Sequence, residues 1–122
     1  MHLRSDTSMS HDCLFCKIVE GTIPANRVYE DELSIAFPDI SPQAPTHLLI
    51  IPKQHIASLA KADPEHKPLV GHLMAVATEI ARAQKLDHGF RVVINTGDHG
   101  GQTVHHLHLH LLGGRAMHWP PG

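Results

Sequence analysis

The sequence predicts an α+β domain, and three observations predict it. Short apolar runs bounded by proline, glycine or acidic residues recur at strand length, and one segment of about twenty residues carries apolar side chains at helical spacing. The third is the run His106-Leu107-His108-Leu109-His110-Leu111-Leu112, which alternates as a strand does, so that imidazoles face one side and leucines the other. With 122 residues, 42% hydrophobic content and a formal net charge of -2, the chain makes one compact core rather than two.

In chain order, Met1 to Ser10 is polar and reads, through residue 11, as a disordered extension with Met9 a candidate natural start. Residues 12–122 read as the domain. Cys13 to Glu20 reads as a short helix or turn ended by Gly21, with Pro24 marking the connection after it. Val28 to Tyr29 and Leu33 to Phe37 flank Glu30-Asp31-Glu32 as a hairpin, and Thr46 to Ile51 is the next strand, beyond a loop bracketed by Pro38, Pro42 and Pro45.

Asp63-Pro64 starts a turn, and a helix is predicted from about Lys67 to Leu86, with Pro68 in its first turn, where a missing N–H does no harm. Leu69, Leu73, Val76 and Ile80, with Val70, Met74, Ala77 and Ala81, give it a broad apolar stripe. Gly89 is expected to stop that helix, and Phe90 to Asn95 to form the strand leading into a glycine-rich loop.

Composition excludes several function classes. Ten basic against twelve acidic residues leave no excess to attract nucleic acid. No apolar run approaches the ~18 residues of a membrane span, the longest being Leu48 to Ile51, and Met1 to Asp12 lacks the apolar region of a signal peptide. A cytoplasmic setting is the expectation.

The histidine row admits a metal site, a proton-shuttling array, or a nucleophilic histidine flanked by orienting and acid groups, against the plainer alternative of an exposed face rich in histidine. Upstream of it runs Asn95-Thr96-Gly97-Asp98-His99-Gly100-Gly101-Gln102-Thr103-Val104. Glycines let backbone N–H groups approach a ligand, and Asn, Gln and Thr add neutral donors, a combination suited to phosphate oxygens. Such a loop feeding a strand of in-line histidines sets anion-binding groups beside a nucleophile. Cys13-Leu14-Phe15-Cys16 supplies half a zinc site, a reading that a reducing compartment favours over a disulfide, with two buried thiols as the alternative.

The row resembles the signature of the histidine-triad (HIT) family, His-φ-His-φ-His-φ-φ with φ apolar. The tail Gly113-Gly114-Arg115-Ala116-Met117-His118-Trp119-Pro120-Pro121-Gly122 is similar to that of its Hint branch, the purine nucleoside phosphoramidases. Asp39-Ile40-Ser41-Pro42-Gln43-Ala44-Pro45-Thr46-His47, followed by Ile51-Pro52-Lys53-Gln54-His55, matches the same branch. The resemblance covers residues 12–122. It implies a HIT-like fold, an antiparallel sheet with one long helix and a short N-terminal helix. It also implies a symmetric homodimer, built on the long helix and the Phe90 to Asn95 strand, whose sheets join into one of ten strands.

The implied reaction is hydrolysis of purine nucleoside 5'-phosphoramidates, with AMP, GMP or their phosphoramidates as ligands and no cofactor in the chemistry. His108 is expected to attack the α-phosphorus, since a neutral imidazole with an ordinary pKa near ~6.5 needs no strong base. The residue at His106 orients it through its backbone carbonyl, and His110 is expected to donate to a phosphate oxygen as a cation. Thr103 and Asn95 match positions that contact phosphate and leaving group, Thr103 as a proton relay too; Gln102 is a weaker match.

Asp39 matches the ribose-binding acid, with Leu14, Phe15, Ile18, Phe37 and Ile40 walling the base, although each apolar residue taken singly is more often core. Trp119 falls where the tail approaches the neighbouring subunit's site. Several family members hold a structural zinc with a CxxC and two histidines, which map to Cys13, Cys16, His55 and His106. His47 has no evident catalytic task, His105 takes a position usually aromatic, and His72 lies on the long helix between apolar positions.

Three other readings remain open at this point. A nucleotide-binding regulatory module would show little turnover. A dinucleoside polyphosphate hydrolase or nucleotidyl transferase would share the triad, and a pure metal binder would use His106, His108 and His110 together.

Overall fold

The computed structural model describes residues 12–122, and the expectation for residues 1–11 lies outside the described residues. The short N-terminal helix, α1, spans Leu14–Glu20 and buries Phe15, Cys16 and Ile18. Seven residues do not sustain a helix in water, so this one is held by what it covers. Cys13 caps it, its Sγ accepting the N–H of Cys16 at 3.3 Å. Gly21 ends it at φ +86°, a left-handed turn that favours glycine, with its N–H donating to Ile18 O and that of Thr22 to Lys17 O.

Five strands follow: β1 (Tyr29–Glu30), β2 (Ser34–Pro38), β3 (Thr46–Pro52), β4 (Phe90–Val93) and β5 (Leu109–Gly113). They form one sheet in the order β1-β2-β3-β5-β4 with every neighbouring pair antiparallel. The α+β architecture is therefore as the sequence predicts. Ser34 to Phe37 and Leu48 to Ile51 are unbroken apolar or small runs because both faces of the sheet are covered. Ala36, Leu48, Ile50, Leu107, Leu109 and Leu111 pack under the long helix, while Ile35, Phe37, Leu49 and Ile51 pack under α1.

The long helix, α2, spans Lys67–Ala83 after two 3-10 turns, Leu59–Lys61 and Pro64–His66, and buries Leu69, Leu73, Val76, Ala77, Ile80 and Ala81. It stops before the expected Leu86. Lys85 takes φ +60° while the N–H of Leu86 bonds back to Ala81 O, so a left-handed lysine makes the exit and Gly89 shapes only the next bend. Leu86 then folds over Gly113, where a Cβ would collide with its side chain. His72 is tied to the β1–β2 turn, its Nε2 donating to Asp31 Oδ2 at 2.7 Å. No helix of the described residues is long and apolar enough to cross a membrane.

Candidate active site and metal centre

The histidine row is strand-like in its alternation but only partly in the ladder. Hydrogen-bonded pairing begins at Leu109, so His106, at the end of a bend, and His108 lie on the lead-in, pinned where the N–H of Leu107 donates to Ile56 O at 2.7 Å. Leu107, Leu109 and Leu111 still turn to the α2 side, and the imidazoles turn to the α1 side. Phe15 of α1 meets both His106 and His108 edge to face, with ring centroids 5.9 and 5.1 Å apart.

The proton on each ring follows from its partners. The buried His106 ring has Nε2 at 2.9 Å from Pro52 O, so Nε2 carries the hydrogen and Nδ1 a lone pair. Burial, with the neighbouring His55 and His108, lowers its pKa to about 4 against the opposing bond to Pro52, and the ring is neutral at pH 7. His108 Nδ1 donates to the carbonyl oxygen of His106 at 2.7 Å, so in the neutral ring Nε2 is the lone-pair nitrogen.

His47 accepts the N–H of Gln43 on Nδ1 at 3.0 Å, so a neutral His47 carries its hydrogen on Nε2. That nitrogen lies 2.9 Å from His110 Nδ1, which therefore accepts, and His110 keeps its hydrogen on Nε2. Burial first, then His108 and His47, push the His110 pKa down. The neighbouring imidazoles and burial thus oppose a charged His110, while the Asp39 carboxylate favours it.

The lone pair of His106 faces a sulfur pair. Its Nδ1 lies 3.3 Å from Cys13 Sγ, 3.5 Å from Cys16 Sγ and 3.2 Å from His55 Nδ1, and Cys16 Sγ lies 3.2 Å from His55 Nδ1. Bonds of about 2.0 Å to nitrogen and about 2.3 Å to sulfur around a tetrahedral zinc set donor-to-donor edges of roughly 3.3–3.8 Å. The four residues thus fit zinc in ligand type and spacing, the His106 tautomer fits as well, and they are the four that the family resemblance implies.

A second cluster, Asp39, His47 and His110, has comparable spacing but does not fit. To offer Nε2 to a metal, a neutral His47 would need its hydrogen on Nδ1, against the N–H of Gln43 already there.

Beside the row lies a cavity of about 800 Å³. Leu14, Phe15, Ile18, Phe37, Asp39, Ile40, Asn95, Thr103, His108 and His110 all line it, with Ile40 at 98% exposure on its rim. Asp39 Oδ1 accepts the N–H of Ser41, while Oδ2 is 3.5 Å from His47 Nε2.

Gln102 and Trp119 are not among the lining residues. The Gln102 amide sits beneath the loop, accepting from Gly97 N–H and donating to Ala57 O and Val104 O, and Trp119 is 84% exposed. The loop glycines also differ from expectation. The N–H groups of Gly97, Gly100 and Gly101 all bond within the loop, so glycine is used there for the turns at Gly97 and Gly101 (φ +72° and +82°) and for the tight approach of Gly100 to Thr96. Asn95 Nδ2 closes the same loop on Gly100 O at 2.7 Å.

His47 is the residue that sequence reasoning left without a task. The missing signal was the β3–β5 register. Leu49 pairs with His110 and His47 with Leu112, which sets His47 diagonal to His110 on the same face.

Comparison with known proteins agrees with this geometry. The family model described as scavenger mRNA decapping enzyme C-terminal binding matches residues 12–118. An uncharacterized HIT-like protein of Synechococcus elongatus is 57% identical over 93% of this chain and its own full length. A 14 kDa zinc-binding protein of Zea mays is 53% identical over 89% of this chain and 87% of its own.

Among solved structures, a HIT family hydrolase of Legionella pneumophila superposes with a TM-score of 0.88 at 53% identity, covering 90% of this chain and 99% of that one. A zinc-bound histidine triad protein of Mycobacterium smegmatis superposes at 0.78 and 41% identity, covering 87% and 77%. With the row, the cavity beside it and relatives matched over nearly their whole length, the chain belongs to the histidine-triad (HIT) family.

Proposed function

We propose that this HIT protein is a purine nucleoside phosphoramidase of the Hint branch, cleaving the P–N bond of nucleoside 5'-phosphoramidates through a nucleotidyl-histidine at His108. The observation that carries the reading is the bond from His108 Nδ1 to its own neighbour's carbonyl, which fixes the ring with a lone pair on Nε2 beside a cavity of nucleotide size.

In this reading the base lies among Leu14, Phe15, Ile18, Phe37 and Ile40, and Asp39 Oδ2 accepts from the ribose hydroxyls. The His108 lone pair forms an N–P bond at the α-phosphorus, the P–N bond to the leaving group breaks, and the departing nitrogen takes the Thr103 hydroxyl proton, which solvent water replaces. His110 Nε2–H and the Asn95 amide donate to the phosphate oxygens, where charge builds. Water then cleaves the N–P bond, releasing the nucleoside monophosphate and restoring His108. Cys13, Cys16, His55 and His106 would hold a zinc ion, which would steady the His106 backbone and take no part in bond making.

The active form is proposed to be a homodimer joined at the β4 edge, where Phe90 is 42% exposed, with Trp119 reaching the neighbouring subunit's site. A reducing, cytoplasmic setting keeps the two thiols available to zinc.

A second reading, a dinucleoside polyphosphate substrate, takes support from the decapping description of the matched family model. Attack by His108 at the α-phosphorus would then break a P–O–P bond and expel the other nucleoside with its remaining phosphates rather than an amine. Steady-state hydrolysis of an adenosine 5'-phosphoramidate bearing a fluorescent amine, beside a diadenosine polyphosphate, separates the two. Fast release of the amine that is lost in His108→Ala supports the phosphoramidase. Release from the polyphosphate alone supports the second reading, and turnover of neither supports a binding module.

A further inference from the structure

His110 can donate to a ligand in the cavity only if its hydrogen sits on Nε2, and nothing within the His110 ring fixes that choice. The neutral imidazole has two tautomers of similar energy, and the environment selects one. The selecting chain starts outside the cavity. Gln43 N–H is a backbone donor that cannot reverse its role, and it meets His47 Nδ1 at 3.0 Å. His47 must then donate from Nε2 to His110 Nδ1 at 2.9 Å. The opposite setting would leave two hydrogens facing each other at Gln43 and His47. Asp39 Oδ2, at 3.5 Å from His47 Nε2 and 3.9 Å from His110 Nδ1, accepts only and favours the same hydrogen on His47.

Gln43 is itself held by the segment that follows β5. Arg115 reaches back across the chain, its Nε and Nη2 donating to Gln43 O at 3.1 and 3.0 Å and its Nη1 to Ala116 O at 3.0 Å. Gly114 (φ +90°) packs so close to Pro45 that an added Cβ would lie 2.9 Å from the proline ring, which presses the same segment onto the same loop. The guanidinium fork makes a two-pronged grip that an ammonium cannot copy.

We propose that Arg115 and His47 are positioning residues, Arg115 clamping Gln43 so that the Gln43–His47–His110 chain holds the His110 hydrogen on Nε2, toward the cavity. The catalytic consequence rests on the function proposed above, but the tautomer does not, and the two are tested apart.

Long-range proton–nitrogen correlation spectra of the ¹⁵N-labelled full chain report each imidazole tautomer directly. The parent protein is expected to show His47 and His110 both with hydrogen on Nε2, and Arg115→Ala to show His110 shifted toward a mixture of both forms. Hydrogen on Nδ1 of His110 in the parent, or an unchanged His110 in Arg115→Ala, overturns the proposal whatever the enzyme's substrate.

On the fluorescent phosphoramidate, His47→Leu is expected to lower kcat by roughly tenfold, the factor for one lost hydrogen bond, with KM nearly unchanged. His47→Gln, whose amide N–H can reach the same nitrogen, is expected to recover most of that loss. Equal loss in His47→Leu and His47→Gln would mean that His47 acts by packing alone and would overturn its positioning role.

Discussion

His108 Nδ1 donates to the carbonyl oxygen of His106 at 2.7 Å, while the ring of His106 turns away to face Cys13, Cys16 and His55. One residue therefore serves both centres. Its side chain belongs to the candidate zinc site and its backbone sets the proposed nucleophile.

Zinc content should follow the sulfur pair. Elemental analysis of the purified protein is expected to give close to one zinc per chain, and close to none in Cys13→Ser/Cys16→Ser. Because a zinc held there would fix His106, the double variant should lose roughly tenfold in turnover with little change in KM, and should melt at lower temperature. Zinc retained by the double variant would contradict the site.

Asp31 should make the fold acid-sensitive. Burial alone would raise its pKa, but bonds from Leu33 N–H, His72, Ser34 and Tyr29 outweigh burial and hold it well below the usual carboxylate range. Its stabilisation is therefore present above the unfolded value near ~3.9 and fades as pH drops through the folded one. Asp31→Asn is expected to cost about 1–2 kcal/mol at pH 7 and progressively less below about pH 4, by urea unfolding across pH. A difference that stays constant with pH would count against the charged network.

Gly100 and Gln102 should matter through loop shape. A Cβ on Gly100 would press against the backbone of Thr96, and the Gln102 amide makes three bonds that close the loop on Ala57 and Val104. Gly100→Ala and Gln102→Ala are each expected to destabilise by about 1–3 kcal/mol and to weaken AMP binding, by calorimetry. Wild-type affinity in Gly100→Ala would mean the loop shape is irrelevant to the ligand.

Asp39→Asn tests the ribose contact. AMP affinity should fall by roughly tenfold while 2',3'-dideoxy-AMP, which lacks both hydroxyls, binds the parent and the variant alike. A dideoxy ligand that also loses affinity in the variant would point to a role for Asp39 through His47 instead.

Much of this was legible in the sequence, for local reasons. Period-two alternation exposed the strand face at His106 to Leu112, and the α2 stripe named the helix residues that became buried. The Cys13–Cys16 spacing marked two of four candidate zinc ligands; the other two, His55 and His106, came by resemblance, and each lies within 3.5 Å of Cys16 Sγ.

What was not legible depends on pairing between distant segments. The β3–β5 register joins His47 to His110, and the fold of the glycine loop turns Gln102 inward and uses the glycine N–H groups internally. The end of α2 at Ala83 was missed because a left-handed lysine, not a glycine, makes the exit.

The central claim, a nucleotidyl-His108 intermediate, is tested most directly by intact-protein mass spectrometry after rapid alkaline quench of a reacting adenosine 5'-phosphoramidate. The account predicts a mass increase of one adenylyl group on the parent protein, mapped to His108 and missing in His108→Gly. Turnover at full rate with no adduct, or an adduct on another residue, would contradict it.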